Sequence, residues 1–206
     1  MTHADGALGE CTAMDSTMAF YEAHADDYAR RTLDADLSDV RRRFARSLTP
    51  GARILDLGCG PGRDLRAFSE LGFAPVGLDA SPALVRIARS VSGVPVTVGR
   101  IEEIEFDREF DGVWACASLL HIRRQDLSLT LRRVRAALKP GAPFFASVQE
   151  GSGDSRAADG RIFTYFEERE FQSALSDHGF SETESWRTAD SLREGRRLTW
   201  LNFLSA

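Results

Sequence analysis

Arg53–Asp64 reads RILDLGCGPGRD. Ile54, Leu55 and Leu57 make a short apolar run that predicts a buried strand, and the run ends in a glycine cluster. A helical pattern follows at once over Gly62–Leu71 and stops at Gly72. A glycine-rich turn from strand to helix lets a ligand approach the backbone closely and presents the helix's free amides to it. The spacing is Gly58-x-Gly60-x-Gly62, which differs from the GxGxxG of dinucleotide sites, and no lysine follows as in a phosphate-binding P-loop. An acid, Asp56, precedes the first glycine inside the strand. Alone, the stretch points to a nucleotide-like ligand on a doubly wound sheet.

Downstream, Ala74–Leu78 predicts a second strand with Asp79 at its end. An acid about 20 residues past the glycines can accept both hydroxyls of a ribose, as it does in NAD enzymes. Ser81-Pro82 predicts a helix start, with serine as N-cap and proline at the first helical position, running to Val91. Val94–Val98 and Phe110–Ala117 predict strands. Asp126–Leu138 predicts a helix, Pro143–Val148 a strand, and Glu167–His178 a helix closed by Gly179. Phe180–Trp186 and Leu198–Leu204 alternate around a polar turn at Arg193–Arg197, a terminal hairpin. Upstream, residues 16–31 carry Phe20, Tyr21, His24 and Tyr28 at helical spacing. Residues 37–47 carry Leu37, Val40 and Phe44 on one face, with Arg41, Arg42 and Arg43 expected on a solvated one.

Alternation of strand and helix implies an α/β, doubly wound, mostly parallel sheet with helices on both faces, and the hairpin adds one antiparallel strand. The expected organisation is a disordered lead-in over 1–15 and a single domain over 16–206. Within it, 16–47 form a helical cap and 150–166 a substrate loop, of which 150–161, rich in Gly, Ser, Asp and Ala, reads as mobile.

Composition narrows the function. The chain has 206 residues, enough for one domain, and is 43% hydrophobic and 28% charged. A net charge of −5 argues against a nucleic-acid binder, which would carry a basic stripe. No (D/N)PPY motif is present. No apolar run approaches the roughly 20 residues of a membrane span, and no signal peptide is seen at Met1–Cys11. Cys11, Cys59 and Cys116 form neither a disulfide framework nor a metal-ligand cluster, so a reducing cytoplasm and no metal are expected. Cys59 and Cys116 read as small, partly buried side chains.

Taken in order, ILDLGCGPGRD, GLDASPALVRIAR, EFDGVWACASLLHI and LKPGAPFFASV resemble the class I S-adenosylmethionine-dependent methyltransferases. The resemblance covers roughly residues 16–206 and is nearest to the small-molecule, tellurite-resistance-like branch. It implies a Rossmann-like sheet of seven strands, the last antiparallel, with S-adenosyl-L-methionine as cofactor and S-adenosyl-L-homocysteine as product. It also implies that Asp56, Gly58, Cys59 and Gly60 line the methionine end and that Arg63 and Asp64 follow the loop, Arg63 at the cofactor carboxylate. Asp79 would bind the ribose and Ala80 flank the adenine. Arg100 occupies the position where many relatives have an adenine-binding acid, so Ile101 or Glu102 takes over that contact. Cys116 and Ala117 would lie beside the sulfonium, and Tyr21 and Tyr28 on the covering helix.

His121 is the only histidine near the expected site, and its unperturbed pKa near 6.5 suits a general base. A lining role is the other reading. Arg161, Phe163 and Tyr165, with Arg193, Arg196, Arg197 and Trp200, fall at the carboxyl ends of the strands, where open α/β sheets bind ligands. Arg161, Tyr165 and Trp200 are the candidate substrate contacts, Arg161 for a carboxylate, phosphate or oxyanion. The expected activity is methyl transfer to an O or N atom of a small molecule by in-line displacement. A non-catalytic S-adenosylmethionine binder and a nucleotide-dependent oxidoreductase are the alternatives. Neither a nucleic acid nor a membrane is an expected partner.

Overall fold

The structure, a computed structural model, describes residues 16–189 and 198–205. The predicted lead-in and the hairpin turn with Arg193, Arg196 and Arg197 lie outside them. The main strands are β1 (Arg53–Leu57), β2 (Ala74–Asp79), β3 (Val96–Val98), β4 (Gly112–Cys116), β5 (Phe144–Gln149), β8 (Glu184–Ala189) and β9 (Thr199–Ser205). They form a seven-stranded sheet in the order β3-β2-β1-β4-β5-β9-β8. The first five pair in parallel, and β9 is antiparallel to both β5 and β8. The strand order reverses between β1 and β4, which makes the gap beyond their carboxyl ends the switch point where such sheets take ligands.

Alternate residues along each central strand enter opposite cores, as strand geometry requires. Leu55, Leu57, Val113, Ala115, Phe144, Ala146 and Val148 pack on one face. Ile54, Trp114 and Phe145 pack on the other, with Phe44 and Phe68. Both faces are covered, so the inner strands read as near-continuous apolar runs.

The helices are α1 (residues 16–23), α2 (Ala25–Thr32), α3 (Ser38–Ala45), α4 (Arg63–Glu70), α5 (Pro82–Ser92), α6 (Leu127–Ala137) and α7 (Glu168–Asp177). The N-terminal stretch expected as one helix breaks at His24 into α1 and α2. At α5 the predicted cap forms: the Leu84 amide donates to Ser81 Oγ at 3.2 Å. Glu22 of α1 reinforces it, accepting from Ser81 Oγ at 2.6 Å and from the Ala83 amide at 2.9 Å. A carboxylate fits the positive end of a helix, and here it also fastens α1 over the sheet's carboxyl edge.

The segment expected as a mobile loop contains a small hairpin instead, β6 (Asp154–Arg156) paired with β7 (Ile162–Thr164). The Ile162 amide donates to Thr17 Oγ1 at 2.9 Å, and Ser16 Oγ donates to the Gly160 carbonyl at 2.7 Å. Polar, glycine-rich composition suggested a loop, while these contacts with α1 order it.

Candidate active site

The glycine loop is shaped by close packing. Gly58 has φ +69°, and a Cβ there would stand 2.5 Å from Ser118 Cβ. Gly62 has φ +87°, and its Cβ would stand 2.9 Å from the Ala88 Cα of α5. The first glycine thus admits the segment after β4, and the third lets α4 lie against α5. Neither position suits an L side chain. Between them the Gly60 amide donates to Asp79 Oδ2 at 2.8 Å, and the Ser81 amide donates to Asp79 Oδ1 at 2.9 Å. Burial pushes the Asp79 carboxyl up, and these backbone donors pull it back. The Ala80 amide is a third backbone donor, and since a carboxylate has about four acceptor sites, capacity remains for a ribose hydroxyl.

Around the loop lies a cleft walled by Met18, Tyr21, Tyr28, Leu84, Ile101 and Glu102, with Asp79 and Ala80 at one side. Two buried polar atoms beside it, Asp56 Oδ2 and Ser118 Oγ, lack a hydrogen-bond partner among the described residues. Buried polar groups are ordinarily paired, so this pair fits a polar ligand group at the loop. A hydroxyl acceptor at Asp79, an apolar wall and unpaired polar atoms near the sheet together suit S-adenosylmethionine. Asp79 would hold its ribose, Ile101 and Leu84 its adenine, and the Asp56–Ser118 end its methionine.

Asp64 does not face this cleft. It is buried and accepts from Arg41 at 2.6 Å, from Arg63 at 2.7 Å and from Trp114 Nε1 at 3.1 Å. Burial works against its charge, but Arg63 and Arg41 overcome that and hold its carboxyl below the usual range. Asp56 moves the other way, raised by burial first and by Asp64's charge second. Arg41 is therefore not on a solvated face. Its side chain is 13% exposed and latches α3 to the helix after the glycine loop. The ring around Trp114, stacked on Phe145 at 4.1 Å, closes this side.

A second cavity, of about 400 Å³, opens against the cleft. Tyr21, Tyr28, Ala117 and His121 line both, so the two meet beyond β1 and β4. Ala117 adopts φ +54°, the left-handed region that non-glycine residues rarely occupy, and its amide donates to Ser147 Oγ at 2.8 Å. Cys116 beside it is pushed up to about 11 by burial and stays a thiol.

His121 has both ring nitrogens engaged. Nδ1 stands 2.7 Å from the Ile162 carbonyl, which can only accept, so Nδ1 carries the proton of the neutral ring. Nε2 therefore accepts from the Tyr21 hydroxyl at 2.9 Å. Burial lowers the imidazole to about 4, with the Arg161 charge adding to that and the Ile162 bond opposing it. The ring is neutral at physiological pH. Arg161 donates to Tyr21 as well, lies 4.2 Å over the Phe20 ring and is paired to Asp159 at 2.7 Å.

Of the sequence-predicted residues, Tyr21, Tyr28, Gly58, Gly60, Asp79, Ala80, Ile101, Glu102, Ala117 and His121 line the cofactor cleft. Arg63, Cys116, Arg161 and Trp200 line the second cavity. Arg63 is committed to Asp64 and stands 3.7 Å from Cys116 Sγ. Glu102 accepts from Arg100 at 2.9 Å, so the residue in the usual acid position is held by the acid two places on. Cys59 faces away: its Sγ packs with Leu65 and Val96 under the loop. Tyr165 lines neither cavity, and its hydroxyl bonds Ser155 Oγ at 3.1 Å on the outer side of the hairpin. Sequence reasoning did not single out Glu22, Ser118, Ser147, Gln149 or Asn202. The signal for Ser147 and Gln149 was present, as polar residues at alternate positions of a strand that is otherwise apolar.

A methyltransferase-domain family model matches residues 28–185. The chain belongs to the class I S-adenosylmethionine-dependent methyltransferases. Among curated relatives, the ubiquinone biosynthesis O-methyltransferase of Xanthomonas campestris pv. campestris (strain B100) is 32% identical, the match covering 62% of this chain and 61% of the relative. The chain thus spans under two thirds of the length of that relative. Among solved structures, the Burkholderia thailandensis 1,6-didemethyltoxoflavin-N1-methyltransferase, with bound 1,6-didemethyltoxoflavin and S-adenosylhomocysteine, superposes with a TM-score of 0.77 at 22% identity. That match covers 100% of this chain and 92% of that one. The Haemonchus contortus phosphoethanolamine N-methyltransferase 2 in complex with S-adenosyl-L-methionine gives a TM-score of 0.69 at 17% identity, covering 95% of this chain and 56% of that one. At these identities the two structures bear on the fold, a Rossmann-like methyltransferase sheet.

Proposed function

We propose that the methyltransferase fold here moves a methyl group from S-adenosylmethionine to an O or N atom of a small molecule held in the second cavity. The observation that carries this is the junction: Tyr21, Tyr28, Ala117 and His121 line both the cofactor cleft and the cavity. A cavity of about 400 Å³ suits a ligand of drug size. An O-methyltransferase of ubiquinone biosynthesis among the relatives, and an N1-methyltransferase of 1,6-didemethyltoxoflavin among the structures, agree with an O or N acceptor of that scale.

The cofactor supplies a methyl group already activated by the sulfonium. The chain's task is to align the acceptor, exclude water and receive the proton. Alignment alone can supply several kcal/mol. His121 lines the cavity, but its Nε2 is taken up by Tyr21, whose hydroxyl proton it holds. When the acceptor loses its proton to the Tyr21 oxygen, Tyr21 passes its own to Nε2 and the ring becomes imidazolium. The general-base reading of His121 thus becomes a Tyr21–His121 relay. Arg161, answered by Asp159, orients Tyr21 and favours its oxygen at the moment of transfer. No helix among the described residues is long and apolar enough to cross a membrane. Free thiols at Cys59 and Cys116 suit a reducing compartment such as the cytoplasm.

Incubation with methyl-labelled S-adenosylmethionine and a panel of phenols, amines and heterocycles tests the reading, beside calorimetry with S-adenosylhomocysteine and NAD. Label transfer with selective binding of S-adenosylhomocysteine is expected. Binding of NAD alone would overturn it in favour of an oxidoreductase. Tight cofactor binding with no labelled product across the panel would leave a non-catalytic binder.

A further inference from the structure

The face of the sheet that carries Trp114 and Phe145 changes character toward its carboxyl edge. On β5 the residues of this face are Phe145, Ser147 and Gln149, and on β9 they are Leu204, Asn202 and Trp200. The pairs Phe145–Leu204, Ser147–Asn202 and Gln149–Trp200 stand opposite each other in the ladder. Phe145 and Leu204 belong to the core. The next two pairs form the floor of the second cavity. Ser147 is used by the Ala117 amide, and Asn202 Nδ2 donates to Thr188 Oγ1 at 3.1 Å and to the Trp186 carbonyl at 3.3 Å.

Gln149 is different. The residue is only 4% exposed, yet its carboxamide makes no hydrogen bond among the described residues. It is not among the buried atoms sealed from any space, so what little surface it keeps is turned to the cavity it lines. Folding gains nothing from such a group, since leucine would fill the same position without a polar atom to leave unpaired. Across the ladder, the Trp200 ring contacts no other ring among the described residues and lines the same cavity. Opposite residues in an antiparallel pair stand about 5 Å apart at Cβ, so a flat molecule stacked on the indole lies within reach of the carboxamide.

Resting on the acceptor cavity proposed above, we propose that Gln149 and Trp200 form the acceptor-reading pair, selecting a neutral planar heteroaromatic molecule with adjacent N–H and C=O groups. Trp200 supplies the stacking face. Gln149 Oε1 accepts from the ring N–H, and its Nε2 donates to the ring C=O, a pair of bonds that a lactam edge completes. A carboxylate offers two acceptors and no donor, so it leaves Oε1 facing like charge.

The test uses quinolin-2-one as a lactam probe and 1-naphthoate as an anionic planar control, both added to the full chain saturated with S-adenosylhomocysteine. Binding is read from the side-chain amide resonance of Gln149 in a nitrogen-15 spectrum, assigned by its loss in Gln149→Leu. Quinolin-2-one is expected to shift that resonance, and Gln149→Leu and Gln149→Glu to weaken its binding at least tenfold with S-adenosylhomocysteine affinity unchanged. Unchanged quinolin-2-one affinity in either variant overturns the proposal. So does preference for 1-naphthoate, or absence of quinolin-2-one binding while S-adenosylhomocysteine binds. Failure of S-adenosylhomocysteine to bind the wild type would instead overturn the cofactor reading on which the pair depends.

Discussion

The two halves of the site are built by different means. On the β2–β1 side, the cofactor cleft is made largely of backbone: glycines at close approaches, and a carboxylate clasped by the amides of Gly60 and Ser81. On the β5–β9 side, the second cavity is made of side chains that differ in kind from strand position to strand position, Ser147, Gln149, Trp200 and Asn202 among them. The first half tolerates little change in type because main-chain geometry sets it. The second can change its ligand by exchanging side chains on an unchanged ladder. A constant methyl donor and a variable acceptor fit that division.

The largest expected effect breaks the backbone half. Asp79→Ala removes the anchor of the Gly60 and Ser81 amides together with the hydroxyl acceptor. Two hydrogen bonds to a charged group contribute roughly 1.5–3 kcal/mol each, so S-adenosylhomocysteine affinity should fall by at least about 100-fold in calorimetry. Retained affinity would remove Asp79 from the site.

A smaller effect is expected from the side-chain half. His121→Gln should lower single-turnover methyl transfer by roughly 100-fold, the scale of general-base assistance, while S-adenosylhomocysteine affinity stays within about threefold. A second readout is stability. The folded-state pKa is lowered to about 4, against about 6.5 in the unfolded chain. Between those values the unfolded state binds more protons, so His121 makes stability rise with pH across that window and flatten above it. Its share is at most about 3 to 4 kcal/mol, from 1.36 kcal/mol per pKa unit. Urea unfolding at pH 5 and pH 7 should show a smaller difference in His121→Gln than in the wild type. An equal difference would show that burial does not hold the ring neutral.

The smallest effect sharpens the boundary of the second half. Tyr165→Phe loses only the Ser155 contact on the outer side of the hairpin. Turnover should stay within about twofold and stability within about 1 kcal/mol, the worth of one such bond. A large loss of turnover would return Tyr165 to the acceptor site.

Most of the fold was legible because it is local. The strands β1, β2, β4 and β5 announce themselves by apolar runs, and Ser81-Pro82 and Gly179 mark helix ends at or next to the observed ones, whereas β8, expected at Phe180–Trp186, forms at the more polar Glu184–Ala189. The cofactor loop was legible for the same reason, since Gly58, Gly60, Gly62 and Asp79 answer demands made within one strand–helix–strand unit. Arg41 was misread because its helix face looks charged in sequence, while its partner Asp64 arrives from a different element. The segment around residues 150–166 was misread because its order comes from Ser16 and Thr17, far away in the chain. Tyr165 was grouped with Arg161 and Phe163 by closeness in sequence, and only the packed structure separates them, with Arg161 and Phe163 lining the cavity and Tyr165 bonded to Ser155.

Sequence by itself determined the class of fold and the methyl donor, because short-range backbone requirements leave a pattern in neighbouring residues. Tertiary structure alone decided the rest. It joined Tyr21, His121 and Arg161 from three separate segments, gave His121 its tautomer through Ile162, and set Gln149 opposite Trp200 in the β5–β9 ladder. Those are long-range pairings, and nothing in the residues on either side of them records which partner the fold will supply.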